Sequence, residues 1–419
     1  MYKEVFSFFE ENNIEYAVLN GYEELENIYD TAKDVDILIE RVSFGNLRNI
    51  IHDMCKENNF SIVQILHHDV WAMDVFLYSH SQNQMLHLDF YAEVSSNGKY
   101  IYSTSELLKN TKNYRGFKIL SPAHELITYF DKCIRKNNFS KEVLEKFGSL
   151  LFENSKASAE LQRIFGEDAS LLESIFANKD TDLLVDNIDV LKDKINQRKI
   201  TARFYLLGEI KRIISRILKP TGITIAFYGC DGVGKSTVIE KIIRSQMPFR
   251  QTQYFHFKPL HARNTTEGNS STPHLMGKYS YTKSVVKLFY FVLQYNLGWL
   301  KNISPLRVKS YMIIFDRYYF DIFVDQIRYR YGASDILLRL AGWLIPKPNI
   351  SFVLVAPPEV IYARKQEVEL ANLSTQVYGY KKLAKNNDYY LVEANSSLDK
   401  VVKTVRTHIL DQMKERHLN

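Results

Sequence analysis

A glycine-rich stretch between a predicted strand and a predicted helix constrains this chain more than any other part of its sequence. Residues 223–228 read Ile-Thr-Ile-Ala-Phe-Tyr, a mostly apolar run typical of a strand buried on both faces. Residues 229–237 follow as Gly-Cys-Asp-Gly-Val-Gly-Lys-Ser-Thr, which has the spacing G-x-x-x-x-G-K-S. Glycines let successive backbone N–H groups converge on a phosphate, and a helix over about 235–246 directs its positive dipole end at the same anion. We therefore expect this loop to bind a nucleoside triphosphate.

Each residue type in the loop has an expected role. Lys235 reaches the outer phosphates, and the hydroxyl of Ser236 binds Mg²⁺. ATP and Mg²⁺ are thus the expected cofactors. The predicted nucleotide-binding residues are Gly229, Gly232, Val233, Gly234, Lys235, Ser236 and Thr237.

Length and composition indicate a globular protein of two or three domains. The chain has 419 residues, of which 46% are hydrophobic and 24% charged. The net charge of +6 suits phosphorylated ligands and is too diffuse to indicate nucleic acid. The three cysteines match no metal spacing, which favours a reduced cytoplasmic protein. No window of 18 uninterrupted apolar residues occurs, so we expect no membrane span.

Two apolar segments have more than one interpretation. Residues 285–300 are the most apolar stretch, but Lys287, Gln294 and Asn296 interrupt it, and we expect a mostly buried helix. Residues 200–218 are basic and amphipathic. They indicate either contact with a membrane surface or, more simply, a helix that docks one domain on another.

Strands and helices alternate after the glycine-rich loop, as a parallel doubly wound sheet requires. The predicted strands lie near 223–228, 252–257, 311–315, 350–355 and 389–393. Asp316 follows the third of these strands, where an acid serves as the expected partner of Mg²⁺. Arg317, next to it, supplies a planar donor for a second phosphate.

These residues resemble the thymidylate kinase family within the nucleoside monophosphate kinase fold. The resemblance covers roughly 200 residues and is carried by the loop 227–237, Asp316-Arg317-Tyr318, Pro358-Glu359-Val360 followed by Arg364 and Lys365, and the final strand and helix from Leu391. It implies that Asp231 contacts the acceptor sugar and Arg317 the acceptor phosphate. It also implies that Arg364 and Lys365 close over the transferring phosphoryl group, and it suggests a homodimer. The predicted catalytic residues are Lys235, Asp316, Arg317, Arg364, Lys365 and Asp231.

Two departures from that family affect the predicted acceptor. Tyr228 stands where the family has Glu, and residues 256–263 replace its Arg-Glu-Pro-Gly segment. The predicted acceptor-binding residues are His256, Arg263, Arg317, Asp321 and Arg328. Because they are rich in hydrogen-bonding groups, we expect a kinase acting on a sugar, sugar phosphate or glycan. The chain also resembles kinase-like proteins of bacterial surface-polysaccharide clusters, and this resemblance implies a role in polysaccharide biosynthesis. A kinase for dTMP is the alternative.

Residues 1–120 carry a second set of candidate ligands. Asp34 and Asp36 project from one face of a predicted strand, and Asp89 lies in a later strand, so the three could share Mg²⁺. This pattern resembles the nucleotidyltransferase superfamily, with Gly21-Tyr22 where that family has Gly-Ser or Gly-Gly. The simpler interpretation places Asp34 and Asp36 on the solvated face of the strand. Two further alternatives concern the function of the whole chain, which could be a bifunctional enzyme or a non-catalytic nucleotide-gated module.

The expected fold is therefore α/β, in three parts. Residues 1–120 form an α+β nucleotidyltransferase-like domain. Residues 121–218 form a helical connecting region, which begins where Ser121 caps a helix. Residues 219–419 form the doubly wound, P-loop kinase domain. The expected partner is a small-molecule or glycan acceptor.

Overall fold

The computed structural model describes residues 1–27, 34–153, 155–201, 203–260, 277–366, 369–385 and 388–417. The chain divides into two compact units, unit 1 at Met1–Ile214 and unit 2 at Ser215–Asn419. Its architecture is mixed α/β. The further division of the first unit at residue 120 stays a prediction.

Unit 1 contains a mixed seven-stranded sheet and a small three-stranded sheet. Its strands are β1 (Tyr16–Val18), β2 (Val35–Ile39), β3 (Phe60–Asp69), β4 (Ala72–Ser79), β5 (Gln84–Tyr91), β6 (Ser95–Ser96), β7 (Lys99–Tyr100), β8 (Thr111–Tyr114), β9 (Phe117–Leu120) and β10 (Ile200–Thr201). The large sheet has the order β3-β4-β5-β2-β1-β9-β8, and the small one has the order β10-β7-β6.

Helices cover both faces of the large sheet, because successive side chains of a strand such as β1 point to opposite faces and both sets are apolar. The helices of this part of the chain are α1 (Tyr2–Glu11), α2 (Arg41–Gly45), α3 (Leu47–Asn58), α4 (Thr104–Lys109), α5 (Pro122–Lys136), α6 (Lys141–Glu153), α7 (Ser155–Phe165), α8 (Ala169–Asn178), α9 (Thr181–Asp186), α10 (Ile188–Arg198) and α11 (Tyr205–Leu218). In β1, Tyr16 and Val18 join a core with α1 and α3, whereas Ala17 joins a second core with α5 to α10. Successive side chains of a strand point to opposite faces, so an all-apolar strand needs cover on both sides.

The start of α5 confirms the cap expected from the sequence. The Ser121 hydroxyl accepts a hydrogen bond from the backbone N–H of His124 at 3.4 Å, and Pro122 occupies the first helical position. The first turn of a helix has backbone N–H groups without an acceptor in the helix. Ser supplies an acceptor for one of them, and Pro has no N–H that would need one.

Unit 2 contains a five-stranded sheet that is parallel throughout, as expected from the alternation of strands and helices. Its strands are β11 (Ile223–Tyr228), β12 (Gln251–His256), β13 (Tyr311–Asp316), β14 (Ile350–Val355) and β15 (Tyr390–Glu393), in the order β12-β13-β11-β14-β15. Its helices are α12 (Lys235–Arg244), α13 (Tyr281–Gly298), α14 (Ser304–Val308), α15 (Asp335–Trp343), α16 (Pro358–Arg364), α17 (Leu370–Leu383) and α18 (Leu398–Glu415). Every residue of the central strand β11 is buried.

The expectation of a mostly buried helix near 285–300 is wrong. Helix α13 buries Leu288, Phe291 and Tyr295 on one side, while Val286 and Phe289 on the other side are 69% and 65% exposed. Gln294, which interrupts the apolar run, is itself buried. Within the described ranges, no helix combines the length and apolarity needed to cross a bilayer.

We predict that Ser121→Ala lowers the free energy of unfolding by about 1 kcal/mol, since it removes the cap of α5. Urea denaturation of the full chain measures this loss. Ser105→Ala is the matched control, because Ser105 is exposed inside α4 and caps no helix. An equal effect of the two substitutions would contradict the capping role.

Candidate active site

The loop between β11 and α12 has the backbone geometry that its glycines predict. Gly229, Gly232 and Gly234 have φ values of +142°, +83° and +104°, which side-chain-bearing residues rarely adopt. At Gly229 a Cβ atom would also lie 2.5 Å from the carbonyl oxygen of Leu354. The loop is therefore built for close approach of backbone to backbone, with its N–H groups at the amino end of α12.

Lys235 holds this loop from the inside. Its buried side chain donates hydrogen bonds from Nζ to the carbonyl oxygens of Gly229 at 2.8 Å and Cys230 at 3.0 Å. Burial, and secondarily the positive charge of Arg317, lower the pKa of Lys235 to about 8. Ser236 and Thr237 are exposed in the first turn of α12. The loop thus encloses a lysine and presents two hydroxyl groups beside a helix N-terminus, an arrangement that attracts phosphate.

Asp316 is the last residue of β13, the strand next to β11 in the sheet. Its Oδ2 atom accepts a hydrogen bond from Tyr254 at 3.2 Å, and Nδ1 of His256 lies 4.0 Å from the same oxygen. The other oxygen, Oδ1, is buried and has no hydrogen-bond partner among the described residues. A buried carboxylate oxygen without a donor suits a cation ligand. Asp316 therefore fits Mg²⁺ on its own geometry.

Arg317 connects the sheet to the loop. Its backbone has a φ of +67°, and its N–H donates to the carbonyl oxygen of Phe227 at 2.9 Å. The buried guanidinium donates from Nη2 to Asp231 at 2.6 Å and from Nη1 to Asp321 at 2.5 Å. Arg328 donates to the second oxygen of Asp231. Two arginines therefore converge on the one acid inside the glycine-rich loop.

The charges of this cluster stabilise one another. Burial alone would raise the pKa of Asp231, but Arg317, Lys235 and Arg328 hold it well below its usual range. Burial alone would lower the pKa of Arg317, but its carboxylate partners, Asp321 first among them, raise it above the ordinary value. Both groups consequently remain charged.

Two tyrosines that sequence reasoning missed complete the environment of Asp321. Asp321 is fully buried, and it accepts hydrogen bonds from Tyr329 at 2.8 Å and Tyr380 at 2.7 Å in addition to that from Arg317. Tyr380 lies on α17, and no spacing in the sequence connects it to Asp321. This geometry makes Asp321 a positioning residue for Arg317. Its predicted contact with an acceptor stays a prediction.

Asp325 is held in a similar way nearby. Its carboxylate accepts hydrogen bonds from the backbone N–H of Arg328 at 3.0 Å and from Gln376 at 3.2 Å. Phe257, directly after His256, stacks on Tyr329 with 4.7 Å between ring centroids. Hydrogen-bonding and aromatic side chains thus lie next to Arg317 and Arg328.

The two cations predicted to close over the reacting phosphoryl group lie beside the loop. Arg364, at the end of α16, donates to the carbonyl oxygens of Val233 and Ala394, each at 3.3 Å. Lys365 directly follows Arg364. Its Cβ lies so close to Gly232 that a Cβ added to this glycine would be only 2.9 Å away. The structure thus brings together every predicted residue of the kinase site except Arg263, which falls outside the described residues.

A second group of carboxylates crosses three neighbouring strands of unit 1. Asp36 on β2 is paired in register with Asp89 on β5, and Asp89 is paired with Asp74 on β4. One carboxylate oxygen from each of Asp34, Asp36 and Asp89 lies within 4.8 Å of the others, and so do a ring nitrogen of His68 and carboxylate oxygens of Asp74 and Asp89. The three predicted acids therefore do meet, and Asp74 extends their row.

Basic side chains flank this row, and sequence reasoning assigned them no role. Lys132 of α5 donates to Asp36 at 2.5 Å, while His87 Nε2 lies 2.7 Å from Asp74. Burial raises the pKa of Asp89 to about 7, and the charge of nearby His68 opposes that rise. Within the described part of the chain, Oδ1 of Asp89 is buried and has no hydrogen-bond partner. Nε2 of His68 lies 3.7 Å from this oxygen, too far for a hydrogen bond, and a buried carboxylate oxygen without a donor fits a cation at this place.

The glycine-rich loop, the acid at the end of the adjacent strand and the parallel sheet are together typical of a P-loop kinase fold in unit 2. Residues 227–405 match the family model for thymidylate kinase, so this part of the chain is thymidylate kinase-like.

Solved structures and curated sequences add two further comparisons. The solved structures of thymidylate kinase from Candida albicans (17% identity, 47% of this chain and 94% of that chain, TM-score 0.35) and from Ehrlichia chaffeensis (19% identity, 45% of this chain and 100% of that chain, TM-score 0.32) are similar in part. Similarity at these TM-scores is too low to support a conclusion about this chain. No curated protein matches the chain.

We predict that Asp321→Asn lowers the free energy of unfolding by roughly 3 kcal/mol, because it leaves the buried guanidinium of Arg317 with one carboxylate instead of two. Urea denaturation measures the loss. Asp388→Asn is the matched control, since Asp388 forms an exposed ion pair with Lys347 that contributes at most about 1 kcal/mol. If Asp321→Asn costs no more than this control, the buried network does not stabilise unit 2.

Proposed function

We propose that unit 2 transfers the terminal phosphoryl group of ATP to an acceptor held near Asp231, Arg317 and Arg328. The observation that carries this proposal is the preformed loop around Lys235, which lies beside Asp316 with its unpartnered oxygen. Phosphoryl transfer needs mainly positioning and charge stabilisation, and these groups provide both.

The donor side of the reaction would use the loop. Backbone N–H groups of 229–235 and the ammonium of Lys235 would bind the phosphates of ATP. Ser236 and Asp316 would hold Mg²⁺, which supplies neutralisation of phosphate charge when it is bound. Arg364 and Lys365, next to the loop, would offset the charge that builds up on the transferring group.

The acceptor side would use the two arginines that converge on Asp231. A guanidinium binds phosphate or paired hydroxyl groups through its planar donors. Asp231 would accept a hydrogen bond from an acceptor hydroxyl, and His256, at the end of β12, lies beside Asp316 on the same edge. An acceptor placed there would meet the donor phosphate at the carboxyl ends of β11 and β13.

For the acceptor itself we favour a sugar, sugar phosphate or glycan of the type used in surface polysaccharide over dTMP. The support comes from the dense hydrogen-bonding surroundings of Arg317 and from Tyr228 in place of the family's Glu. Thymidylate kinase activity is the second candidate, and the family match over residues 227–405 favours it.

Transfer of label from ATP·Mg²⁺ separates these candidates. We predict label on at least one sugar, sugar phosphate or glycan fragment of a panel, and none on dTMP. Lys235→Ala should lower the rate at least about a hundredfold, because it removes the charge that binds the outer phosphates. Lys241→Ala is the matched control, since Lys241 is exposed on the same helix. Label on dTMP alone would contradict the sugar assignment. No transfer to any acceptor despite ATP binding would contradict kinase activity and favour a nucleotide-gated module.

A second candidate function belongs to unit 1. We infer that Asp34, Asp36 and Asp89 hold a divalent cation, on the evidence of their approach within 4.8 Å and of the buried Asp89 oxygen that accepts no hydrogen bond. A cation there would supply charge neutralisation for a bound triphosphate, the chemistry that a nucleotidyl transfer site requires. Such an activity would make the chain bifunctional.

Binding of Mn²⁺ in the absence of nucleotide tests the cation site of unit 1. We predict that Asp36→Asn and Asp89→Asn each weaken binding at least about tenfold, because each removes a ligand. Asp53→Asn alters an exposed acid on α3 and should leave binding unchanged. Equal weakening by Asp53→Asn, or no binding by the unaltered chain, would contradict the proposal.

A further inference from the structure

The part of helix α11 that belongs to unit 1 packs on that unit with its polar side. Tyr205 donates to Asp69 at 2.9 Å, and Arg212 donates to the carbonyl oxygen of His67 at 3.1 Å. These two positions are seven residues apart and so lie on one side of the helix. Gly208 belongs to the same side, because a Cβ there would lie 2.6 Å from the side chain of Val70.

The opposite side of α11 is apolar and faces outward. Within unit 1 its large side chains are between 47% and 72% exposed, and they are Leu206, Leu207, Ile210, Ile213 and Ile214. No residue of the helix is buried. Surface helices of globular proteins normally show the reverse arrangement, with the apolar stripe toward the core. A continuous apolar face of this kind marks an interaction surface.

The exposed charges next to this apolar face are positive. Residues 203–219 contain five basic residues and a single acid, Glu209, which is paired with Arg212 at 2.7 Å. Arg203, Lys211 and Lys219 are exposed. No exposed acid lies in this stretch, so the electrostatic complement of the face is anionic.

We propose that α11 binds the surface of an anionic lipid bilayer. The helix would lie in the plane of the interface, with Ile210 and Ile214 toward the acyl chains and Lys211 toward the lipid phosphates. Its 14 residues, with four charges among them, suit a position along the interface rather than across it. A second copy of the chain is a poorer occupant, because a two-fold interface would bring the same cations together.

Flotation of the full chain with lipid vesicles tests this proposal. We expect binding to vesicles of phosphatidylcholine mixed with phosphatidylglycerol and much weaker binding to phosphatidylcholine alone. Ile210→Asp with Ile214→Asp should weaken binding at least about tenfold, since it places charge on the inserted face. Lys211→Glu should weaken it about fivefold or more, since it removes one attractive charge and adds a repulsive one.

The matched control is Ile336→Asp with Leu340→Asp, which alters two exposed aliphatic residues of α15 and should leave flotation unchanged. Thermal melting of each variant shows that it is folded, and Lys211→Glu tests the proposal independently should the Ile210 and Ile214 pair fail to fold. Three results would overturn the proposal: equal binding to both kinds of vesicle, loss in the α15 control, or no flotation. If light scattering shows a dimer that Ile210→Asp with Ile214→Asp dissociates and no flotation occurs, the face is a contact between copies.

Discussion

The buried ion pairs of Arg317 are the interaction on which the rest of the candidate kinase site depends. A guanidinium removed from water is costly unless its donors are filled, and here Asp231 and Asp321 fill them. Because Asp231 belongs to the glycine-rich loop and Arg317 follows β13, this pairing fixes the loop relative to the neighbouring strand. Tyr329 and Tyr380 in turn fix Asp321. The site is therefore preorganised through a chain of contacts that begins in the core and ends at the loop.

In both units, neighbouring strands of a sheet bring together charged residues that are distant in sequence. In unit 2, parallel strands end at one edge, which places Lys235, Asp316 and Arg317 together although 81 residues separate the first two in sequence. In unit 1, register across β2, β5 and β4 aligns Asp36, Asp89 and Asp74. Burial raises the pKa of Asp89 to about 7, and the negative charges of Asp74 and Asp36 add to that rise. Such a perturbed carboxylate is typical of a functional site.

Local patterns predicted the elements well, and long-range partners poorly. The strands of unit 2, the loop and the cap at Ser121 each depend on a few consecutive residues, so the sequence was sufficient to predict them. Tyr380, Asp74 and Lys132 acquire their roles only through tertiary packing, and no spacing indicates them. The exposure of one side of α13 was missed for a related reason, since apolar content alone does not say which faces are covered. Gln294 is polar and yet buried, so polar content does not predict which residues are exposed either.

Hydrogen exchange with and without ATP·Mg²⁺ is the most direct measurement of the central claim, that the loop at 229–237 is a preformed triphosphate site held by Arg317. We predict slower exchange of the backbone amides in 229–237 and in 316–321 when ATP·Mg²⁺ is added, because the N–H groups of the loop would donate to phosphate and the network behind it would tighten. Binding of ATP without protection of 229–237 would contradict the account.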